Sequence, residues 1–75
     1  MAKVRSIALY GAHYNRNGHR YPGFATARLD DGRVVYLGAQ AGFNGAADAA
    51  DGLGFDTTEY RRKLDAWAAT GKWEN

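Results

Sequence analysis

Two strand-like runs, Phe24 to Leu29 and Arg33 to Leu37, stand on either side of Asp30-Asp31-Gly32. Asp and Gly between two such runs are a strong turn signal, so the segment predicts a β-hairpin. A slip of one residue in a hairpin moves every side chain to the other face, so the register decides what the chain can bury. Two registers compete. With Asp31-Gly32 as a two-residue loop, Arg28 shares a face with Val35. With a type I turn over Asp30 and Asp31 and Gly32 left-handed as a G1 bulge, Ala25, Ala27 and Leu29 share a face with Val35 and Leu37. The second register makes one face apolar and is the one expected. It leaves Phe24, Thr26, Arg28, Val34 and Tyr36 on the opposite face.

Val4 to Tyr10 is apolar, β-leaning and broken by Gly11, which adds a third strand. The longest polar stretch, His13 to Pro22, contains Asn17-Gly18, a pair suited to a tight turn. The first strand therefore either runs on through Tyr14 and returns from His19 as a long twisted hairpin, or gives way to an open loop. In both cases neighbouring strands joined by short turns make a three-stranded antiparallel meander the simplest connection.

From Asn44 onward the period changes. Asp56-Thr57-Thr58-Glu59 has the spacing of a capping box, Phe55 and Tyr60 sit where a hydrophobic staple would, and Gly71 fits a helix stop. Tyr60, Leu64 and Trp67 recur at i, i+4 and i+7 as one apolar stripe, and Arg61 with Asp65 makes an exposed i, i+4 pair. Asn44 to Asp51 predicts a shorter helix with Asn44 as N-cap, ended by Gly52 and Gly54. Its alanine face is too small to anchor itself and must lie close against something. The fold expected is α+β: a three-stranded antiparallel sheet over residues 3–39 with both helices of residues 44–71 packed on one face, in a single domain of residues 1–75. The expected core is Ile7, Leu9, Leu29, Val35, Leu37, Phe43, Leu53, Phe55, Leu64 and Trp67.

A chain of 75 residues without cysteine has no disulfide, thiolate zinc site or cysteine nucleophile, so its small core is held by packing alone. No apolar run approaches the ~20 residues of a membrane span. The start, with Lys3 and Arg5 ahead of a short apolar stretch, is not expected to act as a signal peptide. A cytoplasmic chain is expected, with no membrane partner.

The net charge of +2 conceals an asymmetry. Residues 1–38 carry six basic against two acidic side chains, a net +4, whereas residues 39–75 carry four against six, a net −2. His13 and His19 lack the third and fourth ligands a zinc ion needs at useful spacing, so they are better explained as turn or surface histidines. Gly38 to Gly42 followed by Asn44-Gly45 lacks the Lys-Ser/Thr of a P-loop and the spacing of a dinucleotide fingerprint; its glycines serve the passage from strand to helix. No nucleophile has an orienting base and no carboxylate pair is convincing. A non-enzymatic chain without cofactor or metal is expected.

The most suggestive set is basic and aromatic. Tyr14, Arg16, Arg20, Tyr21, Phe24, Arg28 and Tyr36 are the candidate partner-binding residues, with Tyr10 and Arg33 beside them. Tyr, Phe and Arg are what protein interfaces concentrate at hot spots. Aromatics beside arginines on a sheet also stack bases and neutralise phosphates, but +2 is low for a protein that holds nucleic acid by counterion release.

In its length, its lack of catalytic apparatus and its mixed-charge α+β design, the chain resembles the class of small phage proteins that bind and redirect host machinery, RNA polymerase inhibitors and antiterminators among them, and inhibitors of nucleases. The resemblance is one of type and assigns no residue a role. It implies a protein that occupies a partner's surface, host RNA polymerase being the first target to consider. A standard interface takes about 800 Å² per partner, roughly a sixth of the ~4,500 Å² expected for this mass. A nucleic-acid-binding module and a small structural subunit are the alternatives.

Overall fold

The computed structural model describes residues 2–11, 13–14, 18, 20–21 and 23–74, with only the backbone of His13, Tyr14, Arg20 and Tyr21. Its elements are β1 (Val4–Tyr10), β2 (His13–Tyr14), β3 (Arg20–Tyr21), β4 (Gly23–Leu29), β5 (Val34–Gln40), α1 (Phe43–Gly52) and α2 (Thr58–Thr70). The main sheet is antiparallel in the order β1-β4-β5, and both helices follow it, an α+β fold. The short β2-β3 ladder, His13 opposite Tyr21 and Tyr14 opposite Arg20, prolongs the first hairpin beyond Gly11, the first of the two forms that the sequence allows. Of the Asn17-Gly18 turn, Asn17 lies outside the described residues, and Gly18 has φ 80°.

The hairpin register is the one that gathers the apolar face. Ala27 lies opposite Val35 and Arg28 opposite Val34, and Gly32 is left-handed at φ 89°. The turn is closed by the Gly32 amide on the Leu29 carbonyl (3.1 Å) and the Leu29 amide on the Arg33 carbonyl (2.8 Å). Asp31 fastens it: its carboxylate accepts from the Arg33 amide at 3.0 Å and from Nε at 2.7 Å. These bonds, the backbone one foremost, hold the Asp31 carboxyl below its usual range.

Two bulges break the alternation. In β5 the pairing steps from Tyr36 opposite Thr26 to Gly38 opposite Ala25, with Gly38 at φ 81°, which a side chain adopts only with strain. In β1 it steps from Val4 opposite Leu29 to Ser6 opposite Arg28, so Arg5 and Ser6 both point outward and Val4 joins Ile7 on the buried face. Strict alternation would leave Val4 outside, which is why the expected core omitted it.

Helix α1 lies on the sheet through small residues. Ala46, Ala47 and Ala50 on the helix and Ala25 and Ala27 on β4 are all fully buried. With no side chain beyond Cβ on either surface, helix and sheet approach closely, and leucines (Leu29, Leu37) fill the flanks. The helix starts one residue before the expected cap, at Phe43 after Gly42, without a side-chain cap, so Asn44 is not the N-cap. It ends in a Schellman motif: the Phe55 amide bonds the Ala50 carbonyl (3.1 Å), the Gly54 amide bonds the Asp51 carbonyl (2.9 Å), and Gly54 is left-handed at φ 91°. Gly52 is still helical.

Helix α2 begins one residue later than a cap at Asp56 would place it, but Asp56 still accepts the Thr58 amide on Oδ1 (2.9 Å). The expected capping box is not closed, because Glu59 turns to Arg62. Gly71 stops the helix as expected, left-handed, its amide on the Trp67 carbonyl at 2.7 Å. The expected Arg61–Asp65 pair is replaced by a stronger set. Arg61 donates to Asp48 (2.8 Å), Asp51 (2.7 Å) and the Thr57 hydroxyl (2.9 Å), and that hydroxyl donates to Asp51 (2.7 Å). One guanidinium thus ties α2 to α1 through the buried Thr57, because the fork of an arginine reaches two carboxylates that a single i, i+4 contact does not offer. The loop between the helices is stitched to the sheet edge by the Val4 amide on the Asp56 carbonyl and the Asp56 amide on the Ala2 carbonyl, both 2.9 Å.

The observed core contains Val4, Ile7, Leu29, Leu37, Tyr60 and the alanines, with Leu9, Val35, Phe43, Phe55 and Leu64 packed partly against it. Two members of the expected core are outside it: Leu53 is 57% exposed and Trp67 43%. Leu53 sits at the end of α1, beyond the last turn that touches the sheet. Trp67 lies where the α2 stripe has left it, since exposure rises along Tyr60, Leu64 and Trp67 from buried through half-buried to exposed.

The close seam predicts intolerance of volume. Ala47→Leu is expected to cost about 1–3 kcal/mol and to lower the melting temperature by several degrees, whereas Ala69→Leu, on the exposed side of α2, changes it by less than about 0.5 kcal/mol. Thermal denaturation followed by circular dichroism measures both.

The helix clamp predicts a pH dependence. Asp51 is held below its ordinary value of 3.8 by the Thr57 hydroxyl first and Arg61 second. A carboxyl depressed on folding contributes stability that is fully present above its unfolded value and is lost as pH falls through the folded value. Melting curves from about pH 6 to about pH 2 should show the wild type losing stability through the carboxylate range more steeply than Asp51→Asn. Parallel profiles would show that the clamp contributes nothing.

Candidate functional site

The sheet has one covered and one open face. On the open face Tyr10 of β1 stands directly opposite Phe24 of β4, and Tyr36 of β5, whose register partner is Thr26, reaches Phe24 on the diagonal, so three rings form a slanting row across the strands. Tyr10 and Phe24 stack, with ring centroids 4.9 Å apart and planes at 20°, and Phe24 meets Tyr36 at 5.9 Å and 32°. Cross-strand neighbours at this distance are the side-chain pairs that stabilise a sheet. All three nevertheless remain exposed, Tyr36 at 66%, and Val34 is exposed beside them. A shallow depression next to the row is lined by Ser6, Ala8, Tyr10, Thr26, Arg28 and Val34.

Of the seven candidate partner-binding residues, Phe24, Arg28 and Tyr36 lie on this open face. Tyr14, Arg20 and Tyr21 belong to the β2-β3 ladder, which continues the β1-β4 hairpin, and Arg16 lies outside the described residues. Tyr10 completes the row. His19 and the side chain of His13 lie outside what the structure describes; among the described residues no three His, Cys, Asp or Glu side chains cluster as a metal site. Among them, no helix is long and apolar enough to cross a membrane.

A second surface, on the helical side, was not legible in the sequence. Beyond the Gly71 stop the chain turns back along α2. Trp73 comes to rest 5.8 Å from Tyr60, ring to ring, and Arg62 clasps Glu59 (2.7 Å) on its own helix and Glu74 (2.9 Å) on the tail. These carboxylates, Glu59 foremost, raise the Arg62 guanidinium above its ordinary range, and Arg62 lowers the Glu59 carboxyl. Tail, α2 and β1 enclose an apolar cleft of about 180 Å³, lined by Ser6, Ile7, Phe43, Tyr60, Leu64, Trp67 and Trp73. Burial against it pushes the Tyr60 phenol above its ordinary value. The available signals, an aromatic residue just past a helix stop and a glutamate twelve residues beyond an arginine, are too weak to mark a docked tail in a sequence.

Compared with protein-family models, with curated proteins and with solved structures, the chain finds no match in any of the three. Its surfaces are therefore read from their own chemistry.

The tail contact is testable through its tryptophan. Arg62→Ala should release Glu74 and let Trp73 leave Tyr60, seen as a red-shifted tryptophan emission with the helical circular dichroism kept. An unshifted spectrum would mean that the ring contact alone holds the tail.

Proposed function

We propose that this chain is a non-enzymatic protein-binding regulator that occupies a partner's surface through the open sheet face. The observation that carries the reading is the exposed row Tyr10, Phe24 and Tyr36, with Val34 and Arg28 alongside, on a sheet face that neither helix covers. Contiguous exposed aromatic residues are uncommon on a surface that has no partner, and Tyr, Phe and Arg are suited to anchor an interface. A rigid three-stranded platform also holds them in place before contact, so little ordering cost attends binding. The resemblance in type to small phage regulators makes transcription machinery, RNA polymerase in particular, the first target to test.

A single-stranded nucleic acid is the second reading, favoured by aromatic rings next to Arg28. Two features weigh against it. The rings already stack on one another, which withdraws π-faces from incoming bases, and the whole chain carries only +2.

Purified RNA polymerase and tagged capture from the source cells test the first reading, with the Phe24→Ala/Tyr36→Ala variant as control. The expected outcome is a specific partner whose affinity for the variant drops about ten-fold or more while the fold persists. Equal capture by the folded variant would move the site elsewhere. Fluorescence anisotropy with oligonucleotides at two salt concentrations tests the second reading, since micromolar binding that weakens steeply with salt would establish it in place of the first.

A further inference from the structure

We infer that the cleft between β1, α2 and the C-terminal tail seats one large apolar side chain of an acidic segment from a partner protein. The seat has the dimensions for this. Apolar cavities of ~150 Å³ accept a benzene ring, and the cleft offers about 180 Å³ over Ile7, with Tyr60 and Leu64 as walls and the two tryptophans at the mouth. Trp67 and Trp73 remain exposed, so an incoming side chain would remove a substantial apolar area from water.

The rim supplies the second half of the argument. Next to the cleft, and sharing Ser6 and Trp73 with it, a depression is formed by Arg5, Arg28, Lys63 and Glu74. Glu74 and the nearby Glu59 are both engaged by Arg62. Among the described residues no carboxylate forms an ion pair with Arg5, Arg28 or Lys63. Asp30, near Lys3 and Arg5, accepts the Lys3 amide, and Asp65 borders the far side of the cleft, beside Trp67. Asp30 keeps its charge while accepting a neutral amide, and Glu59 is felt by Lys63 and Lys3, so the approach across β1 sets Lys3, Arg5, Arg28, Arg62 and Lys63 against Asp30, Glu59 and Glu74 and is cationic by two charges. Carboxylates flanking an apolar anchor complement this pattern, with the charges steering approach and the anchor holding the complex. A nucleic acid fits it less well, because three cations neutralise few phosphates and a narrow cleft between aliphatic and aromatic walls offers a base little open stacking surface.

This surface rests on the protein-binding reading only in requiring a protein partner, and it is separate from the aromatic row. The test is selection of a random displayed peptide library on the full chain, followed by tryptophan-fluorescence titration of the enriched peptides. The expected result is sequences with Asp or Glu around one Phe, Trp or Leu. Their affinity should fall about ten-fold or more in Arg5→Glu/Lys63→Glu and in Trp67→Ala, changes at the exposed Arg5 and Trp67 and the half-buried Lys63 whose folding circular dichroism would check, and should stay unchanged in Tyr36→Ala. Lack of enrichment, enrichment of peptides without acidic residues, or indifference to both cleft variants overturns the inference. So does displacement of the peptides by single-stranded oligodeoxythymidine, or sedimentation showing that a second copy of the chain fills the cleft. Because Tyr36→Ala reads the sheet face alone, failure at the cleft leaves the sheet-face reading standing, and the reverse.

Discussion

The close approach of α1 to the sheet through alanines on both surfaces sets the rest of the molecule. A chain of this size ordinarily fills its interior with its largest apolar side chains. Here the buried core includes Ala25 and Ala27 on the sheet and Ala46, Ala47 and Ala50 on α1, all fully buried in one cluster. The large residues are displaced outward. Of the aromatic side chains described, Tyr60 alone is buried; Phe43 and Phe55 are half-buried, and Tyr10, Phe24, Tyr36, Trp67 and Trp73 are exposed. The thin core and the aromatic surface are thus two sides of one choice.

Because α1 takes the centre of the sheet, α2 is left with β1, and the two helices need their own fastening. Arg61 provides it, with Asp48 and Asp51 on α1 and the Thr57 hydroxyl between them. Exposed ion pairs contribute little singly; this one differs in that Thr57 is buried and accepts from one partner while donating to the other, so the geometry is fixed at both ends. With its start held there, the apolar stripe of α2 touches the sheet at Tyr60 and parts from it by Trp67. The cleft is the space that this divergence leaves.

What was legible in the sequence follows the range of the interactions. The Asp30-Asp31-Gly32 turn, the pairing register of β4 with β5 that it sets and the Gly71 stop depend on neighbours a few residues apart, and the residues announce them; the pairing of β1 with β4 spans 14 to 25 residues and follows from connecting strands in order. The misplaced positions depend on partners that the chain brings together only on folding. Arg61 chose two aspartates on another helix over Asp65 one turn away. Trp67 carried the right spacing for a core stripe but lies beyond the point where the helix leaves the sheet. For the candidate surface the result divides in the same way: the faces of Phe24, Arg28 and Tyr36 follow from strand alternation, whereas the docked Trp73 depends on Arg62 and Tyr60 at once.

The bulge in β1 connects the two surfaces. A regular strand with Ile7 inside would turn Val4 and Ser6 outward together. With the extra residue between them, Val4 goes inward, and Arg5 and Ser6 are exposed in succession at the sheet edge. Ser6 consequently borders the depression on the open face, the cationic depression at the edge and the apolar cleft on the helical side. The inserted residue in the first strand thus sets a small side chain, Ser6, on the border of the aromatic face and of the tryptophan cleft, two surfaces that meet at the edge strand and remain distinct in their lining.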